Sequence, residues 1–90
     1  MFWCDILKFA NWIFPISLSL EHDGRLITEA LDEIQLSEEK GFHSVWLNEH
    51  HFDGTSVFAD PVAFSAAVAM CTSTIKIGYA VLQIALHNPV

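Results

Sequence analysis

Basic residues are scarce in this chain: four lysines and arginines face eleven aspartates and glutamates, a formal charge of −7 over ninety residues. Nucleic acids and anionic membrane surfaces are bound through clustered lysine and arginine, so this balance argues against both as partners. Cysteine is nearly absent. Cys4 and Cys71 lie far apart without a CxxC spacing, which argues against a disulfide framework and for a reduced, cytoplasmic setting. Cys71 reads as a small buried hydrophobe. Long uninterrupted apolar runs are also missing. The amino end is apolar, but Asp5 and Lys8 interrupt it, no basic segment precedes it and Pro15 breaks it. What remains, Trp12 to Leu20, is far shorter than the ~20 residues of a spanning helix, and neither a membrane anchor nor a signal peptide is supported.

Apolar residues, by contrast, make up 52% of the sequence. A chain of this length suits one small domain, and such a domain buries only roughly 60–65% of its surface. So much apolar surface on so small a body predicts faces covered by something else, either a partner or the rest of a longer chain.

The hydrophobic pattern alternates between two periods. Ile16, Leu18 and Leu20 alternate with Ser17 and Ser19, which predicts a first strand over Phe14 to Leu20. Glu21 to Gly24 is a turn, with Asp23 placed to cap a helix. Ile27, Ala30, Leu31 and Ile34 then follow one helical face, while Glu29, Asp32, Glu33 and Glu39 form a solvated acidic face. Lys40-Gly41 stops the helix with a cation near the dipole's negative end and a glycine suited to a left-handed cap. Phe42 to Asn48 is a second strand. Its run Val45-Trp46-Leu47 predicts burial on both faces, as in parallel sheets. Asp60-Pro61 opens a second helix, with Asp60 as cap and Pro61 at the first helical position. Phe64, Ala67, Val68 and Cys71 share its face. Ile75 to Ile84 completes the series as a third strand carrying Gly78. The order is β-α-β-α-β, the pattern of a parallel sheet with crossover helices. Two helices cannot cover both faces of three strands, so the order reads as the opening part of a larger α/β fold. Trp3, Trp12 and Trp46 read as core or strand packing.

The chemistry-bearing feature is Glu49-His50-His51-Phe52, where the second strand leaves the sheet. Ligands of α/β folds bind at the carboxyl ends of strands. Metal binding is one reading, but neighbouring side chains on a strand point to opposite faces, so His50 and His51 are poorly placed to chelate one ion. Nucleophilic catalysis is another, yet no Gly-x-Ser-x-Gly elbow is present and neither cysteine lies near a strand end. Two readings remain. The residues are polar caps bonding loop backbone, or they form a cofactor or substrate site in which one imidazole does proton chemistry and the other holds the loop. His22 reads as a turn residue near the same mouth, His43 as structural at the opposite end, and His87 as ambiguous.

The run Glu39 to Phe52 is very similar to the second-strand signature of bacterial luciferase-like flavin monooxygenases. The resemblance continues in register through Asp60-Pro61, the alanine-rich helix, Thr74-Ile75-Lys76-Ile77-Gly78, Ala80-Val81-Leu82 and His87-Asn88-Pro89-Val90. It implies a TIM (β/α)8 barrel, typically ~250 residues or more, of which this chain holds the first three strands. Residues 1–13 then form an unassigned extension and residues 14–90 the amino-terminal part of the barrel domain. The resemblance further implies reduced FMN at the carboxyl end of the barrel, or the deazaflavin F420 in one branch that transfers hydride. In the monooxygenase branch the flavin reacts with molecular oxygen and attacks a small organic substrate such as an aldehyde. Family members commonly pair as dimers. His50 matches the catalytic histidine, a general base or proton donor. Glu49 and His51 match the neighbouring positions that support the cofactor site. Ala80 and Val81 match the pair joined by a non-proline cis peptide against the flavin ring; luciferase itself has two alanines there. The basic or backbone donors that hold the flavin phosphate come from later strands of the family fold. A non-catalytic barrel relative that binds flavin or a partner is the alternative to an enzyme.

Overall fold

A computed structural model describes residues 7–89; Trp3, Cys4 and Val90 lie outside them. Three strands, β1 (Ala10–Ile13), β2 (Ser44–Leu47) and β3 (Lys76–Tyr79), form one parallel sheet in the order β1-β2-β3. Helix α1 (Asp23–Glu39) joins β1 to β2, and α2 (Pro61–Cys71) joins β2 to β3. The alternation of periods in the sequence thus corresponds to the observed order of elements.

The first strand is not where the sequence pattern places it. Phe14 to Leu20 is outside the sheet, and β1 lies within the stretch read as an extension. Ile16, Leu18 and Leu20 are 53%, 91% and 90% exposed, so their alternation has no buried face to serve. Pro15 offers no N–H to a ladder, and only an isolated antiparallel bridge, Ile16 to Ser56, remains. The chain then turns through a 3-10 segment, Leu20–His22. The third strand is also shorter than expected. It leaves the ladder after Tyr79, where the Ala80–Val81 peptide is cis, and a 3-10 turn follows at Ile84–Leu86.

Both helices start and stop for identifiable reasons. Asp60 caps α2, its carboxylate accepting from the backbone N–H groups of Val62 and Ala63 at 2.9 and 3.1 Å, with Pro61 as the first helical residue. Asp23 is not a cap. The 3-10 segment runs straight into α1, so His22 takes the cap position without a side-chain bond and Asp23 is already helical. Its charge there still favours the positive end of the dipole. At the other end Gly41, at φ +82°, allows the N–H groups of Gly41 and Phe42 to bond back to Glu38 and Ser37, a Schellman closure.

Ile13, Ala30, Ile34, Val45, Leu47, Phe64 and Val68 form the core, where α1 and α2 both cover the same sheet face. Ile34, Val45, Leu47 and Val68 are fully buried, each worth roughly 1.5–3 kcal/mol of apolar transfer. Phe58 and Phe64 stack beneath them at 4.4 Å. The face opposite the helices carries Trp12, Trp46 and Gly78 in one register row. Trp46 is 40% exposed, which corrects the expectation that β2 is buried on both faces. The apolar run has helices on one side only. The acidic face of α1 is solvated as expected, with Glu29, Asp32, Glu33 and Glu39 all exposed; Glu33 also accepts from Asn11 Nδ2 at 2.9 Å.

Candidate functional site

Beyond Leu47, strand alternation sends successive side chains in different directions, and the four residues Asn48 to His51 meet different surroundings. Glu49 turns inward, with a side chain of zero exposure. His51 Nε2 lies 2.7 Å from its Oε1, and the Gln83 amide donates to Oε2 at 2.7 Å. His87 Nε2 lies 3.0 Å from Oε2 and 3.1 Å from Oε1. The Gln83 side-chain amide also donates to the Glu49 carbonyl at 3.1 Å. Burial pushes the carboxyl pKa up, but the bonds from His51, the Gln83 amide and His87 outweigh it and hold the group at about 2. Charge-assisted bonds of this length are the strong class.

His50 turns the other way and is half exposed. Its ring stacks on Phe14 at 4.8 Å with an 18° tilt, and Phe14 in turn lies 5.3 Å from Trp12. His50 Nδ1 is 3.8 Å from Asp53 Oδ2. Asp53 is pinned by the N–H groups of Thr55 and Ser56 at 2.9 Å and by Ser56 Oγ at 2.6 Å. Those bonds, chiefly from Ser56, lower its pKa to about 2. A fixed anion therefore faces one ring nitrogen of His50. The two imidazoles of the pair occupy separate environments, and among the described residues no group of three His, Cys, Asp or Glu is arranged to hold a metal ion.

The third component is the segment after β3. The Ala80 N–H donates to Leu47 O at 2.7 Å, which draws the cis Ala80–Val81 peptide alongside the end of β2. Val81 is 66% exposed. Among the described residues, the side-chain oxygen of Asn48, a residue 2% exposed, has no hydrogen-bond partner. Two cavities share lining residues with the surroundings of His50 and Asp53. One of about 290 Å³ runs between β1 and α1, lined by Trp12, Phe14, Pro15 and Leu26. The other, about 210 Å³, is lined by Ser17, Ser19, Asp23, Thr55 and Ser56.

The luciferase-like monooxygenase family model matches residues 10–90. The chain belongs to that family. Limonene 1,2-monooxygenase of Rhodococcus erythropolis is 36% identical over 63 residues, 70% of this chain and 16% of that protein. An alkanal monooxygenase alpha chain of Photorhabdus luminescens is 34% identical over 84 residues, 93% of this chain and 23% of that protein. An uncharacterised protein of Sinorhizobium fredii is 32% identical over 84 residues, 92% and 24% respectively. The chain spans less than a quarter of the length of these relatives.

Within this luciferase-like chain the structure brings Glu49, His50, His51, Ala80 and Val81 to one end of the sheet. His22 stands apart, exposed and 3.8 Å from Glu21. His43 lies at the amino end, its N–H bonded to Phe9 O, and burial, then Lys8 and Lys76, lowers its pKa. Cys71 is half-buried on α2, its thiol directed at Val68 O. Residues that pattern reading did not single out for the site are Phe14, Asn48, Asp53 and Gln83. Only Asp53, in an Asp-Gly-Thr-Ser turn, carries a local signal. His87, left ambiguous, proves to be a partner of Glu49.

Proposed function

We propose that this chain forms the first three strands of a flavin-dependent (β/α)8 monooxygenase barrel, with residues 10–90 inside the barrel domain. The observation that carries this reading is the convergence of half-exposed His50 and the Ala80–Val81 backbone at the carboxyl ends of adjacent parallel strands, where barrel enzymes build their sites. Half-exposed His50, stacked on Phe14, and the exposed Val81 fit a flat ring system seated at that end of the sheet. Ala80, Val81 and His51 would border the cofactor with Glu49 supporting them from beneath, and reduced FMN would supply the electrons that activate molecular oxygen. His50 then holds or moves a proton at Nε2, while Asp53 faces Nδ1 and Phe14 fixes the ring plane. The substrate is a small organic molecule, and the barrel works as a dimer in the cytoplasm.

The phosphate of the cofactor is held elsewhere. Lys8, Lys40 and Lys76 sit at the amino end of the sheet, and Arg25 pairs with Glu29 on α1 at 3.3 Å. The ninety residues alone are therefore expected to leave FMN fluorescence unquenched at micromolar concentration. Quenching there overturns this assignment of the phosphate site. In the complete barrel, His50→Ala is expected to lower oxygenation by about 10²–10⁴-fold with FMN affinity retained. Unchanged turnover removes His50 from the chemistry, and tight binding of F420 in place of FMN moves the protein to the hydride-transfer branch.

A further inference from the structure

We infer that Glu49 is a positioning residue, one that locks the loop carrying His50 to the loop carrying Ala80–Val81 and dictates the tautomers of His51 and His87. The functional half of this inference rests on the proposed flavin site; the structural half does not. A carboxylate whose side chain has zero exposure presents no surface to a cofactor. It acts through the groups it holds.

Those groups come from two loops. His51 lies two residues on, whereas Gln83 and His87 lie 34 and 38 residues away, just beyond the Ala80–Val81 peptide. The Gln83 side chain bonds the Glu49 carbonyl as well, so both ends of that residue are tied to the later loop. An ionised carboxylate accepts only, and with its pKa at about 2 Glu49 is ionised throughout the neutral range. Each of the two Nε2 atoms must therefore carry the hydrogen. In the neutral imidazoles this leaves both Nδ1 atoms as bare acceptors. Since His50 is the next residue in the chain, the same clamp sets the position of its backbone relative to Val81.

The complete barrel, labelled with 15N-histidine, tests this by long-range proton–nitrogen spectra recorded above the ordinary histidine pKa of about 6.5. Both His51 and His87 are expected in the Nε2–H form. Either ring as Nδ1–H overturns the inference, and this spectrum decides even where a variant fails to fold. Glu49→Gln offers one acceptor and a competing donor. It is expected to move at least one ring out of the Nε2–H form and to weaken FMN binding about tenfold, by analogy with the outer partners of metal-ligating histidines. Unchanged tautomers or unchanged FMN affinity in that variant overturn the positioning role. Wild-type protein with both expected tautomers but no FMN affinity sinks the flavin site and leaves the clamp standing.

Discussion

Trp46 and Gly78 are paired in register across β2 and β3, and the indole lies flat over the glycine. A Cβ at residue 78 meets the Trp46 ring at 2.9–3.1 Å, closer than carbon contacts allow, so the absent side chain is what lets the ring settle on the uncovered face. Gly78→Ala is expected to destabilise the protein by about 1–3 kcal/mol, the usual cost of overpacking. An unchanged urea midpoint means the indole moves aside freely. Glu38 makes a second single-residue argument. Its Oε1 accepts from the N–H groups of Ser73, Thr74 and Ile75 at 2.9, 2.6 and 2.8 Å, which clamps the turn before β3. These bonds, Thr74 first, lower its pKa from 4.5 to about 2. A depressed carboxylate stabilises the fold above its unfolded pKa and loses that contribution as pH falls through the folded value. Stability is therefore expected to drop between pH 4.5 and about 2, in a window set by Glu38 and shared by Glu49. Acid titration followed by circular dichroism should show a shallower drop for Glu38→Gln, and identical curves remove Glu38 as a cause. Neither role is legible in the sequence. Glu38 sits among Glu33, Glu39 and Asp32, with nothing local to mark the one that reaches residues 73–75. His50, by contrast, stands out because two consecutive imidazoles at a strand end must diverge.

The helices were far more legible than the strands, and the difference is physical. A helix satisfies its own backbone, so its signals are local: the i, i+3, i+4 spacing of Ile27, Ala30, Leu31 and Ile34, the Asp60-Pro61 start and the Gly41 stop. A strand is defined by its partner. Ile16 to Leu20 has perfect alternation but no ladder, whereas Ala10-Asn11-Trp12-Ile13 alternates poorly yet pairs with Ser44–Leu47. Its Asn11 points to α1, where its amide bonds Glu33 and Ser37, so a polar residue occupies a helix-facing position. The cap of α2 gives the element-scale prediction. Asp60→Ala frees two N–H groups that now bond one carboxylate oxygen, and the loss of an N-cap costs about 1 kcal/mol. Thermal unfolding should report it. Asp60→Ser, which retains an acceptor, is expected to recover most of the loss, and equal destabilisation by both variants shows that the cap bonds are not the cause.

At the scale of the whole chain, apolar surface and net charge oppose each other. Both helices cover one sheet face, while Trp12 and Trp46 remain 54% and 40% exposed on the other, and Leu18, Leu20, Phe52 and Ile84 are exposed at the carboxyl end. Contiguous apolar faces of this kind are interaction surfaces, and among the described residues β1 and β3 also leave unpaired ladder groups at the sheet edges. In the proposed barrel the remaining strands close both edges and fill the aromatic face. Without them, only the charge of −7 keeps copies of the chain apart, and that repulsion is screened within about 10 Å at 0.1 M salt. The ninety-residue chain is therefore expected to self-associate as salt rises and to bind the apolar dye ANS throughout. Adding the rest of the barrel as a separate polypeptide should suppress both, because it buries the same face. Sedimentation across a salt series separates the alternatives. A chain that stays monomeric and ANS-silent at high salt has covered its aromatic face by itself, and the barrel proposal then loses the surface on which the other strands would dock.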